Sequence, residues 1–245
     1  MIRFLAPRPQ TNDGSYPMHR SFVRFCLSLA FAIGITAPAL ADSVEQEGIV
    51  DKARVTVQGF QGDHEVGPTV RKLMKTAKAV VIFPSILKGA FFVGAEGGSG
   101  LLMAKGEGGK WSYPAFYTMG GASFGLQFGG QSSEVMLLIM TSKGINSVIN
   151  NEVTLGGDVC VAVGPIGIGA EASTTTNLRA DIYSFSRNAG AYFGASIEGA
   201  VIHPRRGWNY DYYNSKNASP KAIVLEGKYF NPQADTLRQA LSELQ

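Results

Sequence analysis

Three stretches of this 245-residue chain carry residue types that could do chemistry. Gly121-Ala122-Ser123-Phe124-Gly125 matches the G-x-S-x-G pattern of a serine nucleophile, and Asp181 and His203 follow in the order of a hydrolase triad. That pattern works only where the serine sits on a sharp strand-to-helix turn. Ser123 instead lies in a segment that alternates with period two (Ala122, Phe124, Leu126 and Phe128 against Ser123, Gly125, Gln127 and Gly129), and no helical pattern follows. A chance match is the simpler reading in a chain with 30 glycines. Gly164-Pro165-Ile166-Gly167-Ile168-Gly169 has the glycine content of a phosphate cradle, but neither a helix start nor Gly-Lys-Ser/Thr follows, so it reads as a turn between strands. The third stretch is one of charge: Arg71, Lys72, Lys75, Lys78 and Lys88 fall within 18 residues that hold no acid.

Those cations need an element to align them. Gly67-Pro68-Thr69 is a helix start, and Val70, Leu73, Met74 and Ala77 recur at i, i+3, i+4, i+7. At about 100° per residue, Arg71, Lys75 and Lys78 then fall within roughly 60° of one another, with Lys72 beside them. Near an anionic bilayer each such side chain contributes about 1 kcal/mol. Two readings stay open on residue types alone: a solvated face on a core-packed helix, or a patch that holds anions. Arg205 and Arg206 with Trp208, Tyr210, Tyr212 and Tyr213 form a second candidate surface, with loop packing as its alternative.

Composition sets the frame. With 45% hydrophobic and 17% charged residues the chain is neither disordered nor a multi-span membrane protein. Two cysteines exclude a disulfide scaffold, no metal site is indicated, and scattered carboxylates form no acid/base pair. No cofactor is expected. Arg20 and Arg24, the apolar run from Phe25 to Ile35 and Pro38-Ala39-Leu40-Ala41 read as a secretory leader over residues 1–41, cleaved after Ala41, with Met18 as an alternative start. A periplasmic or secreted location is the expectation. Residues 1–41 hold four basic residues and one acid, so the formal net charge of +3 falls to zero in the mature chain. A global field for nucleic acid is therefore absent, and any anionic partner must be held locally. Cys160, the one thiol left, lies in an apolar run and is expected to be buried.

Residues 42–65 are acid-rich, with Ile49, Ala53, Val57 and Phe60 on one helical stripe. Ala79–Phe83 reads as a buried strand stopped by Pro84. Further strands are expected at 111–118, 122–128, 135–140, 158–163, 181–186 and 191–201, and helices at 143–150 and after Asn231-Pro232. The fold class is α+β: a curved, mainly antiparallel sheet or small barrel of short strands, with flanking N- and C-terminal helices, in one domain spanning 42–245.

Several motifs rich in glycine and aromatic residues follow one another along the chain. They are Gly97-Gly98-Ser99-Gly100, Trp111-Ser112-Tyr113-Pro114-Ala115, Gly125-Leu126-Gln127-Phe128-Gly129, Val153-Thr154-Leu155-Gly156-Gly157-Asp158, Val163-Gly164-Pro165-Ile166-Gly167, Glu171-Ala172-Ser173, Ile182-Tyr183-Ser184-Phe185-Ser186 and Gly194-Ala195-Ser196-Ile197-Glu198-Gly199. In this order they resemble the SYLF lipid-binding domain family, and the resemblance covers roughly residues 65–230. It implies phospholipid binding without catalysis, and actin binding in some eukaryotic members. It places lipid contact in the N-terminal helical and basic region, which by position is Arg71, Lys72, Lys75, Lys78 and Lys88. For an exported member the expected partners are anionic phospholipids or a membrane surface. An envelope protein partner is the alternative, and neither actin nor nucleic acid is expected.

Overall fold

The computed structural model describes residues 39–91, 93–124, 129–150, 152–163, 180–188, 191–192, 197 and 199–245. Most of the leader lies outside these residues, as do Gly125–Phe128 and Gly164–Ser173. Phe60, Val57, Ala53 and Val50 fix the first element: helix α1 (Ala39–Gly62) buries that stripe completely, while Val44 and Val55 face out. A turn at Asp63–Val66 leads into α2 (Gly67–Met74). Four long strands follow: β1 (Ala79–Phe91), β2 (Val93–Ala104), β3 (Ala115–Phe124) and β4 (Gly129–Ile139). Helix α3 (Ser142–Asn150) precedes β5 (Val153–Thr154), β6 (Val161–Val163), β7 (Ile182–Asn188), β8 (Ala191–Tyr192) and β9 (Val201–Pro204). Helices α4 (Arg206–Tyr212), α5 (Pro220–Val224) and α6 (Asp235–Glu243) complete the order.

The strands form one sheet in the order β5-β9-β3-β2-β1-β4-β7-β6, with β8 on β7. All pairings are antiparallel except β6 with β7, and the strands curl into an open half-barrel. The expected α+β class with a curved sheet and terminal helices is what the chain adopts. Both sheet faces are covered, which explains why β1 and β4 read as continuous apolar runs. Val80, Ile82, Leu101, Met103, Phe116, Met136, Leu138 and Phe185 share one core with α1, α2, α4 and α6. Val81, Phe83, Leu102, Tyr117, Leu137 and Ile139 share the other with α3, α5 and β9.

β1 does not stop at Pro84. Proline cannot donate to a ladder, yet β1 is a central strand, so the chain accommodates it with a bulge. The register shifts between Ile82 and Leu87 against β2, and between Phe83 and Ile86 against β4. Gly98 and Gly100 face that bulge from within β2. A β-carbon at Gly100 would collide with the Ile82 carbonyl and the Phe83 ring, and one at Gly98 with the Ser85 carbonyl. These signature glycines are therefore packing positions inside a strand. Cys160 is exposed, contrary to expectation, because it lies just outside the short strand β6 at the end of the sheet, beyond the part of the apolar run that the sheet covers.

Candidate functional site

Helix α2 is held from beneath and behind. The Asp63 carboxylate accepts from the amides of Glu65 and Val66, both at 2.9 Å, which shapes the turn before the helix. Val70 and Met74 are fully buried and Leu73 is half-buried against the same core. The apolar stripe of α2 is thus used up by the fold, and the opposite face must point to water. Lys72, Lys75 and Lys78 are exposed. Among the described residues, none of Arg71, Lys72, Lys75 and Lys78 makes an ion pair with a carboxylate.

The five cations named from the sequence do not share one role. Arg71 is half-buried, and its Nη1 donates to the Gln61 carbonyl at 2.8 Å, satisfying an oxygen at the end of α1. Lys78 stands just before β1 and donates from Nζ to the Ser142 hydroxyl at 2.7 Å. Lys88 lies on β1 opposite Glu96 and Gln131, ten residues further along the chain, and its side chain lies outside the described residues. Lys72, Lys75 and Lys78 therefore remain as the exposed cationic edge, with Lys78 holding one exposed hydroxyl.

Strand pairing adds a cation that the linear sequence hides. Ala79 pairs with Ala104, and the Lys105 amide donates to the Lys78 carbonyl at 2.8 Å, so Lys105 lies beside Lys78. Its ammonium donates to the Met74 carbonyl at 2.7 Å and lies 5.2 Å from the centre of the Trp111 ring. Burial lowers the pKa of this ammonium from its ordinary value. Only an antiparallel pairing of 79–82 with 101–104 brings it there, and the run of cations from 71 to 88 gave no sign of it.

Lys78 and Lys105 line a groove of about 580 Å³ together with Ser142, Asn146 and Leu225. Beyond Gly106, Val224 and Leu225 a second hollow of about 270 Å³ continues it, lined by Lys110, Tyr113, Phe230 and Arg238. The acids at this end are Glu107, which is exposed, Glu226, which is already paired with Lys228 at 2.7 Å, and Asp235, which holds Arg238 at 2.8 Å and accepts from the Tyr113 hydroxyl at 2.9 Å.

The other sequence candidates resolve differently. Ser123 lies within β3, not on a strand-to-helix turn, so the nucleophile-elbow context is missing. Asp181 is committed to Thr141, Lys143 and the Cys160 amide, and His203 faces Glu152 at 3.5 Å. The aromatic segment 208–213 is helix α4 and its end, not an interface loop. Phe116 packs edge-on against Trp208 and Tyr212, with centroids 5.9 and 5.0 Å apart, and its amide donates to the Asn209 side-chain oxygen at 2.7 Å, which ties α4 to β3. Arg205 lies over Trp208 at 3.3 Å.

Residues 120–244 match the family described as "Ysc84: Las17-binding protein actin regulator". The chain belongs to the Ysc84 (SYLF) family. It is 32% identical to Protein YSC84 of Saccharomyces cerevisiae over 187 residues, which is 75% of this chain and 39% of that protein. It is 30% identical to SH3 domain-containing YSC84-like protein 1 of Xenopus laevis over 149 residues, 60% of this chain and 44% of that one. The Homo sapiens protein of the same name is 30% identical over 138 residues, 56% of this chain and 40% of its own length. The Ysc84 domain here thus spans well under half of these relatives. The family match begins inside β3, so the lysine edge lies outside it.

Proposed function

We propose that the mature chain is an exported, non-catalytic binding protein, peripheral to a membrane of the cell envelope, that docks on anionic phospholipid headgroups through Lys72, Lys75, Lys78 and Lys105. One observation carries this reading: these cations share an edge, their backbones are fixed by core packing, and no carboxylate among the described residues neutralises them. Four ammonium groups at about 1 kcal/mol each supply a few kcal/mol, enough for reversible, salt-sensitive docking. No helix among the described residues is long and apolar enough to cross a membrane, so the proposed attachment is at the surface. The resemblance to a lipid-binding family supports the same reading. Residues 1–41 supply the proposed route of export.

Co-sedimentation with phosphatidylglycerol vesicles tests the proposal. The parent is expected to pellet in low salt and to be released as the screening length falls from about 10 Å at 0.1 M to about 3 Å at 1 M. The Lys72→Glu/Lys75→Glu/Lys78→Glu variant is expected to bind at least about tenfold more weakly while keeping the parent's melting temperature. Equal pelleting of parent and variant would reject the edge.

The family's description as an actin regulator keeps a protein partner as the second reading. Co-sedimentation with actin filaments, but with no vesicle at any salt, would favour it.

A further inference from the structure

We propose that Leu225 and Phe230 form an apolar wedge that enters the bilayer beside the lysine edge, while Lys78 and Lys105 hold a headgroup phosphate. The inference rests on the membrane reading above and adds depth, orientation and new residues to it.

Large apolar side chains are exposed at only five described positions: Val44, Val55, Leu87, Leu225 and Phe230. The first three are dispersed on α1 and β1. The last two sit on one short segment, and Phe230 is the most exposed of all at 73%. The segment leaves α5, turns at Gly227 with φ +60° and rejoins the fold at Asn231, whose side chain accepts from the Gln233 amide. Its base is anchored. Tyr229 lies 5.6 Å from the Tyr213 ring, and its hydroxyl is 3.3 Å from that of Ser215. The tip is therefore displayed by a fixed support.

Charge decides what this tip meets. Leu225 lines the groove with Lys78 and Lys105, and Phe230 lines the hollow with Lys110 and Arg238. Lys221 and Lys228 flank the segment but face Glu226 at 4.0 and 2.7 Å, and Arg238 holds Asp235 at 2.8 Å, so these three charges are already compensated. An apolar tip beside three cations that have no ion pair among the described residues, Lys78, Lys105 and Lys110, with aromatic Tyr113 6.3 Å behind Phe230, has the chemistry of an anionic bilayer interface: rings at headgroup depth and ammonium groups at the phosphates. A protein partner would have to match this tip with a pocket of opposite charge, whereas a bilayer supplies both features along its whole surface.

The test is fluorescence of a Phe230→Trp variant of the mature chain, read beside co-sedimentation in the same samples. The vesicles are phosphatidylglycerol with ordinary or brominated acyl chains, and phosphatidylcholine as the neutral control. Trp111 and Trp208 are 2% and 7% exposed, so the parent supplies the background. The expected result is a blue shift on phosphatidylglycerol and a loss of roughly half of the added emission when the chains are brominated. A Leu225→Ser/Phe230→Ser variant is expected to pellet at low salt but to be released at a several-fold lower salt concentration than the parent. Pelleting without blue shift or quenching would overturn the wedge and leave the lysine edge standing. Absence of pelleting with any vesicle would overturn both.

Discussion

Two charged regions lie at different heights of the same sheet and are built in opposite ways. Near the β1 bulge, Arg187 on β7 holds Glu134 on β4 through Nε at 2.7 Å and Nη2 at 2.6 Å. Thr56 of α1 donates to the other carboxylate oxygen at 3.0 Å, and the guanidinium lies against Gly59 where a β-carbon would stand. Every charge there has a partner, and the cluster ties helix to sheet. At the end of the sheet where β1 begins, Lys72, Lys75 and Lys78 have no carboxylate partner among the described residues, and the elements that carry them are already secured by Val70 and Met74. Paired charge can be explained by the fold alone. Unpaired charge of one sign on a rigid edge stabilises nothing internal, and so invites a partner from outside.

The largest effect should come from breaking the paired region. Glu134→Ala leaves Arg187 half-buried with no counter-charge and strands the Thr56 hydroxyl. A loss of about 3 kcal/mol is expected, at the low end for a buried pair because the two side chains are 20% and 25% exposed. Denaturant unfolding measures it. Vesicle binding of the folded variant should match the parent. If stability held and binding fell, the division between structural and functional charge would be wrong.

How far this division could be read in advance depends on the range of the signal. Helical stripes are local, so α1 was legible from Val57 and α2 from Val70, although α2 ends at Met74 and leaves Ala77 and Lys78 off the expected helical face. Period-two alternation and apolar runs gave most of the strands. Pro84 misled because proline forbids a ladder bond locally, whereas the bulge that rescues it needs Gly98 and Gly100 from the next strand. Lys105 was invisible for a similar reason: its place beside Lys78 is a property of strand pairing. The aromatic segment after Arg206 has the composition of an interface, and only the Phe116 side of the sheet makes it core.

A second paired acid sharpens the comparison through pH. Burial alone would raise the Asp181 carboxyl, but the Thr141 hydroxyl at 2.6 Å, the Cys160 amide and Lys143 outweigh it and hold the pKa below its ordinary value. The folded pKa is thus the lower one, so the stabilisation is complete above the unfolded value of about 4 and fades as pH falls through the folded value. Asp181→Asn should cost about 2 kcal/mol at neutral pH. The gap in melting temperature between parent and variant should narrow in acid. A gap that stayed constant down to pH ~3 would mean that the carboxylate charge contributes nothing.

Arg71 sits on the border between the two kinds of charge, and its effect should be the smallest. It belongs to the cationic stretch, yet Nη1 is spent on the Gln61 carbonyl. Arg71→Ala is expected to lower stability by about 1 kcal/mol, the worth of one such hydrogen bond, and to weaken vesicle binding far less than the triple lysine variant. Arg71→Lys separates the contributions. It keeps the charge but replaces a planar fork with a point donor, so the carbonyl is held less well. Binding restored without stability would place Arg71 in the docking edge. Stability lost in both variants with binding untouched would make it a helix-end clamp that happens to be cationic, and the edge would begin at Lys72.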